Sequence, residues 1–168
     1  EKASKDIKNA EASEINRSGL TAWKESNYEL AKTKFTEALN HSTPDHADKK
    51  TFESNIKLAE AAIYNRDADQ LFKQNNFEAA VAKYQQAIET CPKDRTDSLN
   101  TYKNNTAECY FELGNKVNNQ KKYAEAKEYY SKAYQKCTGG YKNEAKFKES
   151  VEKASKDIKN AEASEINR

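Results

Sequence analysis

The segment NFEAAVAKYQQAI, residues 76–88, contains the apolar pattern that decides the fold. Phe77 is followed by Ala80 three positions later, by Tyr84 four positions after that, and by Ala87 three further on. Steps of three and four place side chains on one face of an α-helix. The segment therefore predicts a helix whose buried face alternates large aromatic rings with small alanines. The alanines would allow a second helix to pack closely beside the rings.

The same order of aromatic, alanine, aromatic and alanine recurs in NYELAKTKFTEAL from Asn27 and in KYAEAKEYYSKAY from Lys122. Upstream of each segment, a small residue recurs at an equivalent position: Gly19, Ala68 and Gly114. Glycine inside a helix costs about 1 kcal/mol relative to alanine, so we expect a neighbouring helix to approach closely there. Each repeat is thus predicted to be a pair of helices.

These motifs resemble the tetratricopeptide repeat family, which carries a Leu-Gly pair on the first helix and Ala-x3-Phe/Tyr on the second. The matching residues are Leu113-Gly114 with Ala126-x3-Tyr130 in the third repeat, Ala80-x3-Tyr84 with Pro92 in the second, and Gly19 with Ala31-x3-Phe35 in the first. The resemblance implies an all-α fold, a right-handed superhelical solenoid of three long antiparallel helix pairs. It also implies one domain over residues 1–168, with units at about 1–44, 45–92 and 93–140 and a new unit starting at 141–168.

The spacing of the repeats is longer than the family's period of about 34 residues. Tyr28 and Phe77 are 49 residues apart, and Phe77 and Tyr123 are 46 residues apart. The additional residues contain few helix breakers, and residues 52–63 show the same helical steps. We therefore expect the first helix of each pair to be extended by about three or four turns.

The passage EKASKDIKNAEASEINR occurs twice, at residues 1–17 and at residues 152–168, with a period of 151 residues. Apolar residues at helical spacing lead into the second copy from Phe147 and out of the first copy towards Trp23. The passage is therefore interpreted as the middle of one long helix, from about Lys142 to the next unit's Trp23, in a tandem array. An engineered chain whose copied end acts as a cap is the alternative.

Composition and charge exclude several classes of protein. The 29 basic and 27 acidic residues are interleaved, which does not favour binding to nucleic acid. No apolar run approaches 18 residues, so we expect no membrane insertion. The three cysteines, an odd and sparse set, are typical of reduced thiols in an intracellular protein, whether cytoplasmic or cytoskeletal.

Catalytic and metal-binding patterns are not found in the sequence. Both histidines, His41 and His46, are expected in a loop, and there is no glycine-rich phosphate loop and no nucleophile elbow. We therefore expect no enzymatic activity, no cofactor and no metal. The leading hypothesis is a structural scaffold that stacks head to tail with copies of itself and presents a surface for partner proteins. The alternative is an adaptor that binds a peptide or partner helix in a concave groove.

The family resemblance assigns the groove to the first helices. The candidate groove residues are Asn16, Leu20, Trp23, Asn65, Asp69, Phe72, Phe111, Asn115 and Asn118. Asn115 matches one position of the family's carboxylate clamp. However, Phe111 stands in the expected lysine position, and Asp69 stands in the matching position of the second unit, so carboxylate capture is less favoured. Trp23 and Phe72 are either groove anchors or core residues. The tyrosines of the third repeat form either a lateral contact or internal hydrogen bonds.

Overall fold

The computed structural model describes residues 1–167, and every regular element in that range is an α-helix. The helices are α1 (Lys2–Lys24), α2 (Tyr28–His41), α3 (Lys49–Lys73), α4 (Phe77–Thr90), α5 (Thr96–Asn119), α6 (Tyr123–Lys136) and α7 (Glu144–Ile166). Long helices of 23 to 25 residues alternate with helices of 14 residues. The all-α prediction is confirmed, and α3 includes the predicted extension over residues 52–63.

Short turns join each long helix to the short helix that follows. Ser26, Asn75 and Lys121 occupy the left-handed backbone region, with φ of 60°, 59° and 59°. A single residue in this conformation reverses the chain at a helix end. The next residue in each turn is the N-cap of the short helix, and the Asn27 side chain accepts a hydrogen bond from the Leu30 amide at 3.3 Å. These turns directly precede the three aromatic–alanine segments found in the sequence.

The first two helices pack antiparallel around small and aromatic side chains. Ala22, near the end of α1, clusters with Ala31 and Phe35 near the start of α2. Ala12, earlier in α1, clusters with Ala38 later in α2. The order along one helix is thus reversed along the other. All five residues are buried, so the predicted aromatic–alanine face of α2 is the face that packs.

The recurring small residues lie beneath aromatic rings. A Cβ atom added at Gly19 would be 2.5 Å from Cε1 of Phe35, and one added at Gly114 would be 2.6 Å from the Tyr130 ring. Ala68 is fully buried at the equivalent position. The long and short helices therefore approach closely at the positions that the sequence indicated.

The connections between pairs are fixed in two different ways. Oδ1 of Asn9 accepts hydrogen bonds from the amide and the hydroxyl of Thr43, at 3.1 and 3.0 Å. Asn104 holds Thr138 in the same way, at 2.9 and 3.1 Å. The second unit instead has Leu58 and a proline at these positions. Because proline has no amide hydrogen, a polar side chain at position 58 would have no backbone donor to accept from. Leu58 is instead buried in an apolar cluster.

The most extensive helix contacts are all between helices consecutive in the chain, from α1 with α2 through to α6 with α7. One detail differs from the sequence-based expectation. His41 is the last residue of α2 and not part of a loop, because α2 continues one position beyond Asn40. His46 lies in the connection between α2 and α3, as expected.

Candidate partner-binding face of the long helices

Polar side chains connect successive long helices. Nδ2 of Asn55 on α3 donates a 3.0 Å hydrogen bond to Oδ1 of Asn16 on α1. Nδ2 of Asn105 on α5 donates a 3.1 Å hydrogen bond to Oδ1 of Asn65 on α3. Asn55 is 2% exposed, so this amide is buried with a partner. Two of the predicted groove residues, Asn16 and Asn65, thus hold neighbouring long helices together.

Two further groove candidates accept hydrogen bonds from tyrosines of the short helices. The Tyr84 hydroxyl donates to Oδ1 of Asp69 at 2.6 Å, and the Tyr130 hydroxyl donates to Oδ1 of Asn115 at 2.9 Å. Burial raises the pKa of Tyr84, and the hydrogen bond to Asp69 raises it further. The tyrosines are therefore neutral donors, and part of each acceptor side chain is already engaged. For Tyr130, the predicted internal hydrogen bond is present.

The first unit has an apolar pair at the same positions. Leu20 replaces the acceptor and Phe35 replaces the tyrosine. Phe35 is 1% exposed, whereas Leu20 is 39% exposed and remains available at the surface. An acceptor is therefore present only in the two units whose ring carries a hydroxyl group.

A cavity of about 230 Å³ opens between α3, α4 and α5. It is lined by Asp69, Phe72, Lys73, Tyr84, Asn105 and Glu108. Asp69 and Phe72 are two of the three groove candidates of the second unit. The third, Asn65, adjoins them, because its Nδ2 donates to Asp69 at 3.3 Å. The structure therefore brings the second unit's candidates together at one surface depression.

Sequence reasoning missed the residues that α5 contributes to this cavity. Asn105 and Glu108 lie earlier on α5 than the position equivalent to Asn65, so alignment of the units did not place them in the groove. Asn105 follows Asn65 by 40 residues, and Asn55 follows Asn16 by 39. Asn115 also follows Asn76 by 39 residues without a hydrogen bond between them, so this interval is not a signal in the sequence.

The cavity combines aromatic walls with charged groups. Phe72 contributes one ring, and Asp69, Lys73 and Glu108 contribute charges. The Glu108 carboxylate accepts a 2.8 Å hydrogen bond from the Tyr141 hydroxyl, which fixes its position. Such a surface suits an amphipathic side chain whose apolar part lies on the rings and whose polar end reaches a charge.

The thiol nearest to this cavity is not activated. Cys109 is fully buried. Burial, together with the negative charge of Asp69, raises the pKa of Cys109 to about 12. Because the thiolate is the reactive form of cysteine, this thiol is unreactive at neutral pH.

The aromatic groove candidates pack at the ends of the long helices. The ring centroid of Trp23 lies 5.0 Å from that of Tyr28, and the centroid of Phe72 lies 5.2 Å from that of Phe77. Each ring therefore contacts the first residue of the following short helix while staying partly exposed. Asn118 occupies the equivalent position in the third unit and is also partly buried.

Phe111, one of the groove candidates, lies in the core and is not available at the surface. It is 5% exposed, and its ring centroid is 5.5 Å from Tyr130 and 5.3 Å from Phe147. The Lys146 ammonium group lies 4.3 Å from the centroid of the same ring. Phe111 is covered because α7 packs over this part of α5, which alignment of the units does not show.

Two kinds of feature are absent from residues 1–167. No group of three or more histidine, cysteine or acidic side chains there is arranged to hold a metal ion. None of the helices in that range combines the length and the apolar character needed to cross a bilayer.

The two copies of the duplicated passage are buried at different places. In α1, Ala12 is fully buried, whereas its counterpart in α7, Ala163, is exposed. In α7, Ala154 is 1% exposed, whereas its counterpart in α1, Ala3, is exposed. The same sequence thus uses its first half for packing in one copy and its second half in the other.

The isoleucines of the passage follow the same rule. Ile7 in α1 is 59% exposed, but the equivalent Ile158 in α7 is partly buried. Ile15 in α1 is partly buried, but the equivalent Ile166 is 84% exposed. Each end of the chain therefore exposes the apolar residues that the other end buries.

None of the protein-family models, curated proteins or solved structures compared with the chain matches it.

Proposed function

We propose that the chain is a non-catalytic scaffold module, one period of a tandem array whose units stack head to tail. The observation that carries this proposal is the complementary burial of the duplicated passage. Its residues at 153–166 pack through their first half, and the identical residues at 2–15 pack through their second half. Overlaying the identical residues joins α7 and α1 into one continuous helix.

In that joined helix, four of the five apolar residues of the passage have packing partners, and the fifth, Ala10 or Ala161, is exposed in both copies. The first half packs against α6 of the preceding period, as Ala154 does in this chain, where Ile158 lies beside the start of α6 and is partly buried. The second half packs against α2 and α3 of the following period, as Ala12 and Ile15 do. Exposed apolar residues at both ends are thereby removed from water, which favours the joined state.

The proposed architecture is a right-handed superhelical solenoid of long antiparallel helix pairs that resemble tetratricopeptide repeats. Its support is that the most extensive contacts join consecutive helices, as expected when each unit packs only on its neighbours. Equivalent contacts also recur, such as Gly19 beneath Phe35 and Gly114 beneath Tyr130. In an array, such a scaffold would extend by adding periods and would present repeated surfaces to partner proteins.

The size of the native polypeptide tests this proposal. The source cells are extracted gently, the extract is denatured for electrophoresis, and the blot is probed with an antibody raised against the chain. We expect a band at many times 19.1 kDa, the mass of one chain. A single band near 19.1 kDa would instead favour a chain whose repeated end is a cap.

A second candidate function is an adaptor that binds an extended peptide or a partner helix. It is favoured by the cavity between α3, α4 and α5, where Asp69 and Phe72 lie together. A carboxylate clamp is less favoured, because Asn115 already accepts the hydrogen bond of Tyr130. Peptides selected on the wild-type chain should lose binding in Phe72→Ala and keep it in Asn118→Ala, the equivalent position outside the cavity. Equal binding to both variants would exclude this groove.

A further inference from the structure

The exposed face of α7 carries the residues with which α1 fills its own site. Asn9 of α1 binds the amide and hydroxyl of Thr43, and Ala12 is fully buried. The counterparts on α7, Asn160 and Ala163, are exposed. The chain therefore contains two identical helical segments and, within the described residues, one site that is filled by the first of them.

That site is formed by α2, the following connection and the start of α3. The residues that contact the first copy include Ala38, Leu39, Thr43, His46 and Phe52. His46 adds a polar contact, with Nε2 lying 3.1 Å from the main-chain oxygen of Asn9. Apolar packing and fixed hydrogen bonds together make the site specific for this sequence at this register.

We propose that separate molecules of this chain join end to end by helix exchange. Residues 153–166 of one molecule replace residues 2–15 of a second molecule in their site on α2 and α3. The inference rests on the head-to-tail stacking of the proposed function, which it extends from covalent periods to separate chains. The occupant of the site is thus a second copy of the chain itself.

Exchange preserves the contacts of the site, because the incoming and outgoing segments have the same sequence. It buries residues of the donor, including Ile166, which is 84% exposed, and it exposes their counterparts on the displaced segment, so the total buried apolar area changes little. The donor's Ala154 and Ile158 stay on their own α6. The displaced segment of the receiving molecule departs before Ser18, so that Gly19 and Ala22 keep their contacts with α2. A donor at one end and a site at the other generate open chains.

Residues 2–15 compete for the site at a high effective concentration, because they belong to the same molecule. Exchange is therefore favoured when the binding of residues 2–15 to the site is weakened. Ala12→Asp places a charge in the buried copy and leaves the donor copy intact. Ala163→Asp is the matched control, since it makes the same change in the exposed donor copy. We expect Ala12→Asp to form multiples of 19.1 kDa in light scattering after size-exclusion chromatography, and Ala163→Asp to remain monomeric.

Mixing a suitable variant with the wild-type chain should give a dimer of defined mass. The double variant Ala12→Asp/Ala163→Asp has a free site and a blocked donor, so it should be monomeric alone. Mixed with the wild-type chain, whose donor is intact, it should form a capped dimer of twice 19.1 kDa. Self-association of the double variant would contradict the proposal, and so would the absence of the mixed dimer when circular dichroism shows that both chains are folded.

Two less disruptive substitutions test helix exchange if the charged variants fail to fold. Asn9→Ala weakens the intramolecular copy, and Asn160→Ala weakens the donor. We expect the dissociation constant of the dimer to fall about tenfold in Asn9→Ala and to rise about tenfold in Asn160→Ala, because each loses two hydrogen bonds. Equal constants in both variants and in the wild type would overturn exchange.

Failure of exchange is distinguishable from failure of the tandem array. If the chains stay monomeric while the native polypeptide is many times 19.1 kDa, exchange is excluded and the array is retained. If exchange occurs but the native polypeptide is about 19.1 kDa, head-to-tail assembly is noncovalent and the tandem array is excluded.

Discussion

The hydroxyl of Tyr130 donates a 2.9 Å hydrogen bond to Oδ1 of Asn115, and Gly114, the preceding residue, lies directly beneath the same ring. Position 114 therefore admits the ring and position 115 fixes its hydroxyl. In the first unit, Phe35 has no hydroxyl and the residue after Gly19 is a leucine. A pair of adjacent positions on the long helix thus matches the chemistry of one ring on the short helix.

The first prediction tests this matching with a double-mutant cycle. Phe35→Tyr should lower the free energy of unfolding by about 1–2 kcal/mol, because its buried hydroxyl meets Leu20 and not an acceptor. Adding Leu20→Asn should recover about 1 kcal/mol of the free energy of unfolding, because asparagine supplies a hydrogen-bond acceptor. Urea unfolding of the single and double variants measures the coupling. Strictly additive effects would show that the two positions do not interact.

The second prediction concerns the close approach at Gly114. Gly114→Ala should destabilise the chain by about 1–3 kcal/mol, since the added Cβ would lie 2.6 Å from the Tyr130 ring. This net loss would occur despite the better helix propensity of alanine. Gly139→Ala is the control, because a Cβ there meets nothing within 4 Å. Similar melting temperatures for the two variants would contradict the tight packing.

The helical repeats of the fold could be predicted from local sequence, whereas contacts between repeats could not. The steps from Phe77 to Ala87 indicate a helix and its buried face because both depend on neighbouring residues. The bond between Asn65 and Asn105 depends on the angle and offset between two long helices, which spacing within a unit does not encode. The burial of Phe111 likewise depends on where α7 lies.

For the candidate site, the residues on the first helices were predicted from the sequence, and those contributed by neighbouring helices were not. Asp69 and Phe72 were found because the family resemblance assigns the groove to the first helices. Glu108 and Tyr84 were missed, because α5 and α4 contribute them through packing. The duplicated passage was interpreted as the middle of one helix from its apolar spacing, but the burial of different halves in its two copies emerges only from the structure.

The third prediction addresses the connection between the third pair and α7. Asn104→Ala should lower the free energy of unfolding by about 1–2 kcal/mol, because it removes both hydrogen bonds to Thr138. Asn100→Ala, an exposed change on the same helix, should be nearly neutral. Thermal unfolding compares the two variants. An equal effect of both substitutions would mean that the Asn–Thr pair does not stabilise the connection.

The fourth prediction concerns alkaline pH. Burial raises the pKa of Tyr102 from 10.0 to about 12, so the folded state holds this proton more tightly than the unfolded state. The stability from this group is complete below pH 10 and is lost as the pH rises from 10 towards 12. Tyr102→Phe cannot ionise, so its stability should fall less steeply over that range. Parallel curves for the two proteins would contradict a buried, neutral Tyr102.

The central claim is that the duplicated passage is one helix shared by two periods. Its most direct test is hydrogen exchange of residues 161–166 in a two-period chain, made by adding a second copy of residues 18–168 after Arg168. In the single chain this segment is exposed, with Ile166 at 84%, and should exchange rapidly. In the two-period chain it should become as protected as residues 10–15 of α1. Equally rapid exchange in both chains would contradict the shared helix.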